Sequence, residues 1–319
     1  MSRTQSLYQR CLFALDQLLR LDHTLSFYNL VDSGRVQPRV GLEPIDEKLR
    51  RMKPPDPMRL LWDLLALGVP LCILYNAQSG VEPLQIDVSC EEFEWNAAYV
   101  RHAKRGAALF IMGVNSRIKC GEWDYPSEIF TISELLGNDT NGFVKVVDIV
   151  LYLLERLPES KFSPALPALP SFTSNQYSDP FVSNPSDGLA SFTENKVDKD
   201  GTSRNACIQS IIKAERKYVA DLEVMHKYAQ EIVQKEILTI DTVHRLFPGL
   251  SKLLDFGRKF LIEMEGVIRR PWEEQRWGEL FIKHVSIFTW TMRWANARRR
   301  RKSLRCISRI ARTMPMQWN

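Results

Sequence analysis

The chain has 319 residues, 45% of them hydrophobic and 25% charged, the balance of a folded protein with room for about two domains. It contains no run of 18 or more apolar residues, so no membrane-spanning helix is expected, and its first residues lead into an amphipathic pattern rather than a signal-peptide core. The net charge of +5 is uneven: residues 269–319 hold 13 Lys+Arg against 3 Asp+Glu, which leaves residues 1–268 at a net −5.

Leu7, Cys11, Leu15, Leu18, Leu19 and Leu21 form one helical stripe. A Gly- and Pro-punctuated loop runs from Gly34 to Pro57. The spacing then predicts a capped helix, with Asp56 as N-cap, Pro57 at the first helical position and Gly68 as the stop. Val69–Asn76 is almost wholly apolar and is expected to be deeply buried. Tyr99–Val114 reads as a helix with Val100, Ala103, Ala107, Leu109, Phe110 and Met112 mostly inward. The polar cluster Asn138–Gly142 lacks the alternating ligands and closing Glu of a calcium loop and reads as a turn. Val144–Leu157 is a strong helix ended by Pro158. Trp62, Trp95 and Trp123 are core candidates. Alternating strand patterns are few, so the fold class is all-α.

Residues 159–204 carry five prolines among many Ser, Thr, Asn and Asp residues and read as a flexible tether. Helical periodicity returns over 205–288. There Ile208, Ile211, Tyr218, Leu222, Met225 and Ala229 follow a 3,4 spacing with one position missing, and that position is Glu215. A carboxylate buried unpaired costs several kcal/mol. The seam must either pair it or leave it at a surface that meets something, which points to a binding surface.

No metal or cofactor is expected: the six cysteines are scattered without a Cys-x-x-Cys pair, and His102, His226, His244 and His284 do not cluster. The run Arg298, Arg299, Arg300, Arg301 and Lys302 could meet nucleic acid, anionic membrane or an import receptor. Without interleaved aromatics or a binding fold it reads as a solvated tail, and no nucleic-acid partner is expected.

The stretch Leu61–Asn76, the helix at Phe110–Asn115 and the pair Phe130–Leu136 with Val144–Leu157 resemble the calponin-homology-like module of fungal polarity exchange factors. Ala214–Glu223, Leu246–Leu250, Leu253–Phe256, Arg258–Leu261 and Glu274–Ile282 resemble the opening of a Dbl-homology domain, the exchange domain of Rho guanine-nucleotide exchange factors. The resemblance implies a calponin-like domain over 6–158, the tether at 159–204, an incomplete Dbl-homology bundle over 205–288 and a basic tail at 289–319. It implies a Rho-family GTPase as partner, engaged without bond-breaking chemistry. It also implies a cytoplasmic protein recruited to the cortex at sites of polarised growth. A Ras-like GTPase or a heterotrimeric G-protein subunit are further candidates for the calponin-like module.

In the family the first Dbl helix meets switch I of the GTPase, which marks Glu215, Tyr218, Arg216 and Asp221 here. The family opens Glu-Leu-Ile-x-Thr-Glu, and Ser210 stands at the first glutamate. Past Phe288 the resemblance fades, and the second and third conserved regions do not follow, so we expect a truncated or mis-spliced end. Leu246, Phe247, Leu250, Leu254, Phe260, Leu261, Leu280, Phe281 and Ile282 are then expected to lack helical partners, leaving 205–319 alone partly disordered or prone to aggregate. Two functions stay open: an exchange factor, or a non-catalytic polarity adaptor binding partners through the calponin-like module. A single calponin-like module argues against actin binding.

Overall fold

The computed structural model describes residues 5–33, 36, 56–87, 97–163, 199–270 and 272–284, and among them every regular element is helical, as expected. In chain order these are α1 (Leu7–Leu19), α2 (Thr24–Asp32), α3 (Pro57–Ala66), α4 (Val69–Asn76), α5 (Ala97–Lys119), α6 (Ile132–Leu136), α7 (Thr140–Glu155), a 3-10 turn (Glu159–Lys161), α8 (Lys199–Gln234), α9 (Ile240–Leu246) and α10 (Leu250–Ile268). Residues 1–270 form one compact unit; in the second, 271–319, a 3-10 turn (Trp272–Glu274) precedes helical residues 277–284.

Local signals set the ends of the early helices. Ser6 caps α1 in a reciprocal capping box with Gln9. Asp56 accepts from the backbone N–H groups of Met58 and Arg59, and Pro57 opens α3 where its missing N–H costs nothing. Gly68, at φ 77°, ends α3 and starts α4. A Cβ there would lie 2.2 Å from the carbonyl oxygen of Ala103, so only glycine permits this approach of the α3–α4 corner to α5.

The core of the first seven helices surrounds α3 and α4. Leu61, Leu64, Leu65, Leu71, Cys72 and Leu74 are fully buried, as the apolar run through Asn76 predicted. The α1 stripe closes one side and Phe143, Val146, Val147, Val150 and Leu153 of α7 another. Each such side chain contributes about 1.5–3 kcal/mol by burial. Trp62 stacks on Phe143 at 4.2 Å and donates its indole N–H to the Leu135 carbonyl at 2.6 Å, which ties α6 to α3. Trp123 is buried as expected.

Several expectations need correction. Helix α5 is longer than Tyr99–Val114, and Met112 is 67% exposed on its outer face rather than inward. The Asn138–Gly142 cluster is the capped start of α7, where Asp139 accepts from the Asn141 N–H. The ends of the Pro-rich stretch are structured. Ser163 exchanges hydrogen bonds with Arg20, whose guanidinium also pairs with Glu159 and covers the Phe162 ring. At the other end α8 is already helical at Lys199. Trp95, most of the Gly34–Pro57 loop, residues 164–198 and the tail 289–319 lie outside the described residues.

Among the described residues no single helix is long and apolar enough to cross a membrane. The α3–α4 pair reaches that hydropathy only jointly, across an 83° bend, and it is the buried core described above.

The last helices form a smaller cluster in which Val219, Leu222, Ala229 and Ile232 of α8 meet Val243 of α9 and Leu250, Leu254 and Leu261 of α10. Leu250, Leu254 and Leu261 are therefore covered, and Leu280 is buried as well, contrary to expectation, whereas Leu246, Phe281 and Ile282 are exposed.

Candidate functional site

Helix α8 is one uninterrupted rod of 36 residues, about 54 Å long. Its buried face differs from the expected seam. Ile208, Ile212, Val219, Leu222, Ala229 and Ile232 are buried, while Ile211, Tyr218 and Met225 are 51%, 43% and 43% exposed. The expected spacing repeats every 3.5 residues. A straight helix turns every 3.6, so the two drift apart by about 20° per heptad. Over this length the drift moves the seam by roughly one side chain.

At about 100° per residue Glu215 falls within the arc of the buried Ile208, Ile212, Val219 and Leu222, as the seam predicted. It is half-buried, and partial burial pushes its carboxyl above the ordinary glutamate range. Among the described residues it makes no hydrogen bond or ion pair, so no internal cation offsets its desolvation. At about 100° per residue, Glu215, Tyr218, Asp221 and Ser210 share one arc of roughly 140°. Ile211, Met225 and Tyr228 lie along the same arc, and Tyr228 is 60% exposed. Ser210 and Asp221 are exposed, with Asp221 held by Lys217 one turn back at 2.8 Å. Exposed Ile211, Tyr218, Met225 and Tyr228 thus alternate along this arc with the buried Leu222 and Ala229, beside the hydroxyl of Ser210 and the carboxyls of Glu215 and Asp221.

Arg216 does not belong to this face. It points about 160° away from Tyr218, and its Nε donates to Glu265 Oε1 at 2.5 Å. Glu265, on α10, is 2% exposed and also accepts from the Ser6 hydroxyl at 2.8 Å. Burial raises the Glu265 carboxyl above its ordinary range despite the attraction of Arg216. On the same flank the buried Arg258 of α10 donates to Glu223 of α8 at 2.8 Å and to Asn141 of α7 at 2.9 Å. Asp255 receives the Thr140 N–H at 2.7 Å, Lys259 donates to the Asn138 carbonyl, and Arg269 lies over the Tyr8 ring. Ile262 of α10 completes the apolar contact by joining the core of the first seven helices.

The structure therefore sorts the five predicted residues into an open face holding Ser210, Glu215, Tyr218 and Asp221, and a packed flank holding Arg216. The residues that build that flank were not found by sequence reasoning. The polar cluster at Asn138–Gly142 was the only local signal for them.

Comparison with known proteins gives the chain a context. The CDC24 Calponin family model matches residues 56–154, and the RhoGEF domain model matches residues 207–309, past Phe288 and into the basic tail. The chain is 28% identical over 241 residues to Cell division control protein 24 of Saccharomyces cerevisiae, covering 75% of this chain and 25% of that protein. It is 27% identical over 282 residues to Rho guanine nucleotide exchange factor scd1 of Schizosaccharomyces pombe, covering 88% of this chain and 29% of that protein. The chain thus spans between a quarter and a third of the length of these relatives. No solved structure matches it significantly.

Proposed function

We propose, from the premise that this chain belongs to the fungal cell-polarity RhoGEF family by its calponin and RhoGEF matches in that order, that it binds a Rho-type GTPase along the open face of α8 and loosens the bound nucleotide. The observation that carries this reading is Glu215: a half-buried carboxylate with no hydrogen-bond or ion-pair partner among the described residues, beside the exposed Ile211, Tyr218 and Met225. A desolvated carboxylate at an open rim is ready to accept hydrogen bonds from switch-region donors, and Tyr218, Ile211 and Met225 supply apolar area around it. Ser210 and Asp221 edge the same contact, and Arg216 supports it from behind.

No bond is made or broken in this mechanism. The chain stabilises the nucleotide-free GTPase, and linkage requires that nucleotide binding weaken by the same factor. The test is release of a fluorescent GDP analogue from a Rho-type GTPase with catalytic amounts of the full chain. Faster release that is lost in Glu215→Ala supports the reading; release unaffected by the wild-type chain ends it.

In the division that fits this reading, the calponin-like domain occupies about 6–163, the tether is confined to 164–198, and the Dbl-homology part begins with α8 and runs into the basic tail, as the match to residue 309 supports. The second reading is a polarity adaptor. It is favoured by the match of residues 56–154 to the CDC24 Calponin model, a segment separate from the RhoGEF match and with its own continuous core. A Ras-like GTPase or a heterotrimeric G-protein subunit is the partner class for that segment, and the cytoplasmic face of the cell cortex its place of action. Capture of such a partner by a chain carrying Glu215→Ala separates this role from exchange.

A further inference from the structure

Glu265 is almost inaccessible to solvent, yet it links three helices. It accepts from Ser6, the N-cap of α1, and from Arg216, the residue after Glu215 on α8. A buried carboxylate is held only where donors converge on it, and the attraction of a guanidinium at 2.5 Å fixes α8 against α10 at that level. Arg258 repeats the arrangement two turns along α10, joining Glu223 of α8 to Asn141 of α7. Both bridges meet α8 on the flank turned away from Tyr218. Docking of the first seven helices on α10 therefore leaves the open face unobstructed.

We infer that Glu265 is a positioning residue for the exchange helix, through which the calponin-like module sets the orientation of α8 and of Glu215. The inference rests on the GTPase reading of α8 given above and adds its regulation. The module supports the contact surface from behind rather than shielding it, so opening the joint weakens exchange. A partner that displaces Ser6 or the Asn138–Asn141 turn would act on α8 through the same two buried charges.

The test compares the full wild-type chain with Glu265→Ala and Glu265→Gln by amide hydrogen exchange and by assisted GDP release from a Rho-type GTPase. Glu265→Ala is expected to speed exchange of amides 208–222 about tenfold while leaving α3 and α4 protected, and to slow assisted GDP release about tenfold. Glu265→Gln keeps an acceptor for Arg216 and recovers most of both losses, a rescue that general destabilisation does not produce. Unchanged α8 exchange in Glu265→Ala overturns the inference. So does faster GDP release, which would make the module a restraint. Should Glu265→Ala also lose protection in α3 and α4, Asn141→Ala opens the joint at its rim: about threefold faster exchange in α8 is expected, and no change overturns the inference. If the wild-type chain leaves GDP release unaltered, the GTPase reading falls, and the α8 exchange comparison still decides the positioning role.

Discussion

Replacing Gly68 with alanine imposes two separable penalties on the α3–α4–α5 corner. The first is conformational, because an L-residue at φ 77° costs about 1–2 kcal/mol. The second is steric: the new Cβ would lie 2.2 Å from the Ala103 carbonyl oxygen, 3.0 Å from its carbon and 3.1 Å from the Ala107 nitrogen. These are backbone atoms of α5 and cannot rotate away, so α4 must separate from α5 by about 1 Å. Overpacking of this kind costs about 1–3 kcal/mol, which brings the total to about 2–5 kcal/mol. For a unit of this size each kcal/mol lowers Tm by about 2–4 °C, so calorimetry should show a drop of about 4–20 °C. Gly80→Ala is the control: its φ is 75°, and nothing lies within 4 Å of its added Cβ. It carries the conformational cost alone, about 2–8 °C by the same conversion. Equal Tm shifts for the two variants would refute the claim that close approach to α5 fixes Gly68.

Three further outcomes are expected. Burial raises the Glu215 carboxyl, so its ionisation opposes folding: the benefit of the protonated form is complete below the unfolded value and is lost as pH rises through the folded one. Glu215→Gln, neutral throughout, should melt above wild type at pH 7, with the gap closing toward about pH 4, while assisted GDP release falls about tenfold; a variant melting lower at pH 7 contradicts the assignment. Tyr218→Ala, at a position 43% exposed, should change stability by no more than about 0.5 kcal/mol in urea unfolding yet weaken binding of the nucleotide-free GTPase about tenfold in calorimetric titration. Trp62→Phe keeps a ring against Phe143 but leaves the Leu135 carbonyl without its buried donor, and should cost about 2–3 kcal/mol in the same unfolding measurement.

Elements fixed by neighbouring residues were readable in advance. Asp56, Pro57 and Gly68 bound α3 by short-range rules, and the Leu7–Leu21 stripe faces inward as its period required. The oddity of Glu215 was legible because a carboxylate interrupts an apolar series. Its half-buried state was not, since spacing assigns a side chain to a face without reporting how much of it the neighbouring helix covers. Met112 was misplaced for a related reason: α5 extends to Lys119 and exposes a whole outer side, so apolar character alone did not report direction. The joint was out of reach altogether. Thr140 meets Asp255 across 115 residues and Ser6 meets Glu265 across 259, separations at which no spacing rule operates. Leu250, Leu254 and Leu261 of α10, which a partial bundle was expected to leave bare, are covered instead by α8 and α9.

The sequence separates most visibly between residues 163 and 199, yet buried charges and the Ile262 side chain cross that division. Produced apart, the two halves would each open an apolar patch to water, with Ile262 alone losing about 1.5–3 kcal/mol of burial. They would behave as a split protein: poorly soluble singly, and recovering their native spectra by complementation when mixed.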